Sequence, residues 1–566
     1  MPAMDLLVNT TDGPVLGFKD SFPLRATSAA DEVQHGNDGG RVPILKFLGI
    51  PYAKAARFER PSAPEPWTEP KKCWEFGSMF PQPPSNTEIM LSRVPGFILR
   101  THIPVSEESH FINVFAPGDV KEGEKLPVMV WIYGGALNNG KDSAWFYDPT
   151  EMLRSGLAAS PSQRCIVVSG NYRTNIFGFC ASKDLEELDA EGKCGNYGLY
   201  DVVAMFEWVQ TNIARFGGDP SRVTAFGQSA GAFLISHLLV SGKKLFSKGI
   251  VQSGAATTMM MRPVEQAYPS YSTILTSASP SPSSVPSSPA DRVAYLRSLP
   301  AASLLAAHTA THSFTSLSLT LEPASSPSAI WTTDTLHRLR TGAWDPWIEA
   351  VVLGTTEDEG TVFSWGMKLT TPEAFAAYVA NFPASLRPKI REKYVGEAEV
   401  EHPERPTLVE APGSRLLSDQ IFVNPVWDQA VALAGEREGK GTKVWMYRLR
   451  TGVRRLLDAG FGLGVMHSMD LPFVFNLATL WDEDPESKDG KTAKAIGERW
   501  LRFALEGNPD PAWQPFTRSA PSWLAFDEAG TTTNESLEWL ERGKLELHFG
   551  RDDPEAGEEL LGTTNE

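Results

Sequence analysis

Two hydrophobic patterns alternate along the chain. One is the short, unbroken apolar run that stops at glycines or polar residues. It is seen in "LPVMVWIYGG" (Leu126 to Gly135), "RCIVVSGNYR" (Arg164 to Arg173), "IEAVVLGTTEDEG" and "TKVWMYRL". Such runs predict strands covered on both faces, the pattern of a mostly parallel sheet. The other repeats with helical period. In "GLYDVVAMFEWVQTNIARFGG", Val202, Met205, Phe206, Val209, Ile213 and Phe216 fall on one face, and Gly217-Gly218 with Pro220 mark the stop. "KTAKAIGERWLRFALEGNP" predicts a late helix ended by Gly507 and Pro509. This alternation predicts an α/β fold, a large central sheet flanked by helices.

One stretch departs from both patterns: "SASPSPSSVPSSP" (Ser277 to Pro289) is low in complexity and is expected to be a mobile surface loop inserted into the fold. The expected organisation is a single catalytic domain over residues 1–530. An acidic tail follows over 531–566, with a short amphipathic helix around "ESLEWLERGKLELHF".

Composition narrows the function classes. The 566 residues are 42% hydrophobic and 21% charged, enough for a large core. A formal charge of −17 argues against nucleic acid or an anionic membrane as the main partner. No apolar stretch approaches the roughly 18 residues of a membrane span. "MPAMDLLVNTTDGP" lacks the basic and apolar regions of a signal peptide. Cys73, Cys165, Cys180 and Cys194 include no CxxC pair and do not make a disulfide framework. Together these point to a reduced, cytoplasmic protein.

The chemistry starts at "VTAFGQSAGAFL" (Val223 to Leu234), where a strand-like run meets a Gly-x-Ser-x-Gly turn and a helix-forming stretch. With 47 glycines in the chain, chance supplies about a third of one such match, so the context carries the reading. Gly227 and Gly231 would let strand and helix pass closely, leaving Ser229 exposed as a nucleophile at a helix N-terminus. A serine nucleophile needs a base and an acid behind it, in the chain order Ser, Asp/Glu, His. Of the ten histidines, His402, His467 and His548 lie late enough. His467, between "GFGLGVM" and "SMDLPFVF", has the setting of a loop that delivers an imidazole. Glu359 in "LGTTEDEG" is the candidate acid, with Asp358 its competitor. Gly134, Gly135 and Ala136, after a strand in "WIYGGALNNG", have the setting of an oxyanion loop, and Ala230 would complete the hole. Read alone, Gly134-Gly135 is equally an ordinary tight turn.

From about Thr11 to Phe526 the chain resembles the type B carboxylesterases of the cholinesterase-like branch of the α/β-hydrolase fold. The resemblance rests on "FLGIPYA", "SEESHFINVFAP", "VMVWIYGGAL", "NYRTNIFGF", "TTEDEG", "GVMHSMDLPFVF" and the segment from Gly195 to Ala232. It implies a serine ester hydrolase that uses no metal or cofactor. Ser229 is the implied nucleophile, Glu359 (over Asp358) the acid and His467 the base, with oxyanion donors at Gly135, Ala136 and Ala230. It also implies ion pairs Arg57–Glu107 and Arg173–Asp201. The expected partner is a small-molecule ester, and the expected assembly a monomer or homodimer. The alternatives are a lipase acting on longer chains, an acyltransferase sharing the acyl-enzyme, and a non-catalytic binding protein.

Departures from the family pattern sharpen the expectation. Where exported members carry disulfide cysteines, this chain has Glu108-Ser109-His110, Phe80, and "VQSGAATTMMMRP"; an intracellular member is expected. Gln228 stands where choline-handling members carry glutamate, and Phe80 to Ser109 holds no tryptophan. A quaternary ammonium therefore lacks its usual attractions. Ala136 replaces a glycine, keeping the N–H but adding a methyl. Thr257 to Pro263, with three adjacent methionines, falls where family members shape the pocket, and core packing is the favoured reading. Nothing in the sequence accounts for Val202 in place of the usual glutamine.

Overall fold

The uninterrupted apolar runs form the middle of one sheet, where helices cover both faces. The computed structural model describes residues 6–20, 42–94, 103–121, 123–311, 317–395, 408–435, 441–477, 484, 486–527 and 531–547. Its main sheet has eleven strands. They are β1 (Phe18–Asp20), β2 (Ile44–Pro51), β3 (Phe111–Pro117), β4 (Leu126–Ile132), β5 (Ile166–Gly170), β6 (Gly218–Gln228), β7 (Lys248–Gln252), β8 (Ala350–Thr356), β9 (Lys443–Leu449), β10 (Ser522–Phe526) and β11 (Thr532–Ser536). In space they run β11–β10–β9–β8–β7–β6–β4–β5–β3–β2–β1. The block from β5 to β10 is parallel. The strands outside it pair antiparallel. Every residue of β4, β5, β7 and β8 is buried, which is why these strands read as apolar runs without alternation.

The strand order reverses at β4. Its chain successor β5 lies on one side and β6 on the other, so the segments leaving β4 and β6 part in opposite directions. The carboxyl ends of the strands at such a reversal are the usual ligand position in an open α/β sheet.

The expected helices form. Helix α1 (Tyr197–Asn212) tightens into a 3₁₀ turn over Ile213–Phe216 and ends at Gly217, whose φ is 85°. The six apolar positions of its predicted stripe are all buried. Helix α2 (Ala230–Leu238) follows β6 directly.

The Ser/Pro-rich stretch is a surface connection between two helices, and no residue from 279 to 288 is buried. Helix α3 (Tyr271–Ala278) runs into it, a 3₁₀ turn at Pro282–Ser284 carries a Ser281–Ser284 capping box, and α4 (Pro289–Ser298) leaves it. Ser288 caps α4 by accepting from Asp291 N. Serine before the first turn and proline within it are what helix starts require, so the low complexity encodes caps. Helix α5 (Ala301–Thr311) follows, and the late helix α6 (Lys488–Glu506) ends at Gly507 with φ 70°.

The sheet also runs past the expected boundary at residue 530. Strand β11 pairs antiparallel with β10, and Leu537, Leu540 and Leu547 are buried. The start of the acidic tail is therefore the edge of the sheet; residues 548–566 lie outside the described residues.

Candidate active site

Ser229 occupies the sharp corner between β6 and α2 with φ 56° and ψ −124°, neither strand nor helix. Two backbone bonds fix the corner: Ser229 N donates to Gln252 O at 2.9 Å, and Ser229 O accepts from Phe233 N at 3.0 Å. The flanking glycines are demanded by how closely α2 crosses β4. A Cβ on Gly231 would lie 2.0 Å from Ile132 O, and one on Gly227 would lie 2.7 Å from the same oxygen. Ser229 is 6% exposed, and its hydroxyl makes no hydrogen bond among the described residues.

Three consecutive acids at the end of β8 diverge to three partners. Glu357 accepts from Arg448 Nε at 2.8 Å. Asp358 accepts from Val465 N at 2.7 Å and bridges the segment carrying Met466. Glu359 turns inward and is buried; its Oε1 accepts from Thr356 N at 2.7 Å and its Oε2 lies 2.5 Å from His467 Nδ1. The Asp358 clasp sets the path of the histidine loop. It needs a glycine at 464, where φ is 61° and a Cβ would sit 2.2 Å from Asp358 Oδ2.

His467 is 9% exposed. Its Nε2 faces the Gln228 side-chain amide, Nε2 to Nε2 at 3.0 Å. Its ring packs against Phe363 (centroids 5.1 Å apart) and Phe422 (4.5 Å). Phe422 comes from a π-helical turn, Ser418–Val423, whose Ser418 hydroxyl accepts from Gly360 N at 2.8 Å, one residue past Glu359. One turn thus braces both members of the acid–imidazole pair. Sequence reasoning missed this turn and the Gln228 contact, and no local signal announces either. His402 and His548, the other late histidines, lie outside the described residues.

The loop after β4 meets the serine corner. Gly135, Ala136 and Leu137 have φ of 125°, 56° and 59°, and a Cβ on Gly134 would lie 2.8 Å from Ser229 Cβ. The Gly134 backbone is engaged with Tyr147, and Gly135 O accepts from the N–H groups of Asn138 and Asn139. The N–H groups of Gly135, Ala136 and Ala230 donate to no group among the described residues.

Both expected ion pairs form. Arg57 grips Glu107 through Nε (2.9 Å) and Nη2 (2.5 Å). Arg173 grips Asp201 through Nε (2.8 Å) and Nη2 (2.7 Å), with His110 Nε2 at 3.1 Å from the same carboxylate. Burial alone would raise the Asp201 carboxyl, but Arg173 and His110 outweigh it and hold the group well below the ordinary carboxylate range. Three residues past His467, burial pushes the Asp470 carboxyl up despite hydrogen bonds from Gln252 and Tyr447. The four cysteines are buried free thiols. Met259 and Met261 are buried in the core cluster.

Known proteins resemble this chain over most of its length. A family model described as the carboxylesterase family matches residues 32–541. The chain is 29% identical over 512 residues to the para-nitrobenzyl esterase of Bacillus subtilis (strain 168), spanning 87% of this chain and 91% of that protein. It is 27% identical over 560 residues to the liver carboxylesterase of Sus scrofa, spanning 93% of this chain and 88% of that one. A solved thermophilic PNB esterase superposes with a TM-score of 0.71 at 26% identity, covering 95% of this chain and 99% of that chain. Among the described residues, no helix is long and apolar enough to cross a membrane.

Proposed function

We propose, from the premise that the chain belongs to the carboxylesterase family and is a carboxylic ester hydrolase, that Ser229, His467 and Glu359 act as its triad on small to medium apolar esters. The observation that carries this reading is the 2.5 Å contact between His467 Nδ1 and buried Glu359, with Nε2 left facing the serine corner through its neighbour Gln228.

In the proposed cycle an ester binds at the carboxyl ends of β4 and β6 and His467 Nε2 exchanges Gln228 for the Ser229 hydroxyl, since catalytic hydrogen bonds tighten once substrate is bound. Ser229 Oγ attacks the carbonyl carbon while its proton passes to Nε2. Glu359 holds the tautomer and stabilises the imidazolium. The carbonyl oxygen takes the negative charge and accepts from the N–H groups of Gly135, Ala136 and Ala230, which suit the task because no other group among the described residues claims them. The imidazolium then gives its proton to the departing alcohol. Water attacks the acyl-enzyme by the same route and releases the acid.

Phe363 and Phe422 beside the imidazole support an apolar substrate. Gln228 supplies no carboxylate to a cationic alcohol. The free thiols support a reducing, cytoplasmic setting, and a monomer or homodimer is the expected assembly.

The test is hydrolysis of p-nitrophenyl esters from acetate to palmitate by wild type and Ser229→Ala. The expected result is a preference for short or medium chains and a loss of roughly a millionfold in turnover in the variant. Activity that rises toward palmitate at an interface, or a variant that keeps most of its rate, would overturn the reading.

A further inference from the structure

The loop that carries Gly135 and Ala136 is held in shape from outside the catalytic residues. Ala136 and Leu137 both have positive φ, a conformation that side chains bearing a Cβ keep only when their surroundings impose it. Two clasps come from near the sheet. Asn175 N donates to Leu137 O at 2.6 Å and Asn175 Nδ2 donates to Asn138 O at 3.1 Å. Gln82 exchanges two bonds with the Gly140 backbone at the far end, at 2.6 and 2.9 Å.

A third clasp arrives from helix α5. His308 Nε2 lies 3.0 Å from Asn138 Oδ1, and His308 Nδ1 lies 2.7 Å from the Tyr268 hydroxyl. Because an amide oxygen can only accept, Nε2 carries the proton and donates to Asn138. Nδ1 then accepts from Tyr268, whose buried phenol stays protonated as a donor. The two ring planes are nearly parallel, 13° apart, and both residues are buried. This Tyr268–His308–Asn138 chain spans 170 residues of sequence between Asn138 and His308. It ties helix α5 to the loop that carries two of the three proposed oxyanion donors.

We propose that His308 is a positioning residue for the oxyanion loop, acting through Asn138 and itself oriented by Tyr268. The proposal rests on the reading that Gly135 and Ala136 donate to the oxyanion. Aim of those N–H groups counts when charge develops on the carbonyl oxygen, and little when the neutral ester binds. Loosening the loop should therefore lower kcat and leave KM nearly unchanged.

The test compares wild type with His308→Ala, His308→Gln and Asn138→Ala, together with Ser229→Ala as a control. The readouts are kcat, KM, Tm and affinity for an alkyl trifluoromethyl ketone, which forms a tetrahedral oxyanion on the serine. His308→Ala is expected to lower kcat by about 10- to 100-fold, less than the roughly 100- to 1000-fold for losing an oxyanion donor outright. KM should stay within about threefold, and ketone affinity should fall in step with kcat. Asn138→Ala should reproduce the effect from the other end of the bond, and serves alone if His308→Ala does not fold. His308→Gln, which keeps a donor, should recover most of the rate. The proposal is overturned if kcat and ketone affinity are unmoved. It is equally overturned if the loss tracks a fall in Tm with no recovery in His308→Gln. If Ser229→Ala still turns over ester, the failure lies in the underlying triad and not in the role of His308.

Discussion

The side-chain amide of Gln228 meets Nε2 of His467 at 3.0 Å, on the atom that takes the serine proton in the proposed cycle. The residue before the proposed nucleophile is thus a partner of the proposed base in the unliganded protein. Gln228→Glu would put a negative charge against that ring. A neighbouring anion favours a cationic ring, so the acidic limb of the pH–rate profile should move to higher pH in the variant. A profile of kcat/KM for both proteins measures this; an unmoved limb would separate Gln228 from the base.

Glu359 and Asp358 are adjacent acids with opposite assignments. Glu359→Gln should lower kcat by roughly 1000- to 10,000-fold, because an amide neither holds the needed tautomer nor stabilises the imidazolium. Asp358→Asn keeps an oxygen that can accept from Val465 N, and its kcat should stay within about threefold of wild type. Steady-state kinetics on both variants decides the assignment, and comparable losses would defeat it.

The Arg173–Asp201 pair is more deeply buried than Arg57–Glu107, its side chains being 4% and 0% exposed against 9% and 33%. Asp201→Ala leaves Arg173 and His110 facing a buried gap, and should cost about 3–5 kcal/mol. Glu107→Ala, at the wetter pair, should cost clearly less. Denaturant midpoints for the two variants measure the ordering.

His237, on the helix that Ser229 opens, is buried between Met259 O (2.8 Å) and Thr335 Oγ1 (2.7 Å). Burial lowers its pKa from 6.5 to about 4. The folded state therefore binds this proton less readily than the unfolded chain. The contribution is fully present above the unfolded value and is lost as pH falls toward the folded one. Stability should drop by on the order of 2 kcal/mol from about pH 7 to about pH 5. His237→Gln should flatten that part of the curve whatever its own stability. Thermal unfolding across the range checks the slope.

Much of the site was legible because its signals are local. Strands covered on both faces must be apolar throughout, so β4, β5 and β8 announce themselves as runs. The Ser229 corner needs Gly227 and Gly231 wherever it is built, since a Cβ at either would strike Ile132 O. The Ser/Pro-rich stretch was legible as a surface connection but not as a source of helix caps. Serine and proline are used both by loops and by helix starts, and only the capping bonds of Ser281 and Ser288 tell the two apart.

What the chain by itself determined was the α/β architecture, the strand–serine–helix corner, and a short roster of acids and histidines able to serve it. Tertiary structure decided which of those groups meet. Glu359 and His467 are 108 residues apart, Gln228 and His467 are 239 apart, and Asn138 and His308 are 170 apart. Periodicity and turn chemistry act over a few neighbouring residues, whereas these contacts join segments that only the packed fold brings together. The physical reason is range: local sequence fixes backbone shape, and only packing brings distant side chains within hydrogen-bonding distance.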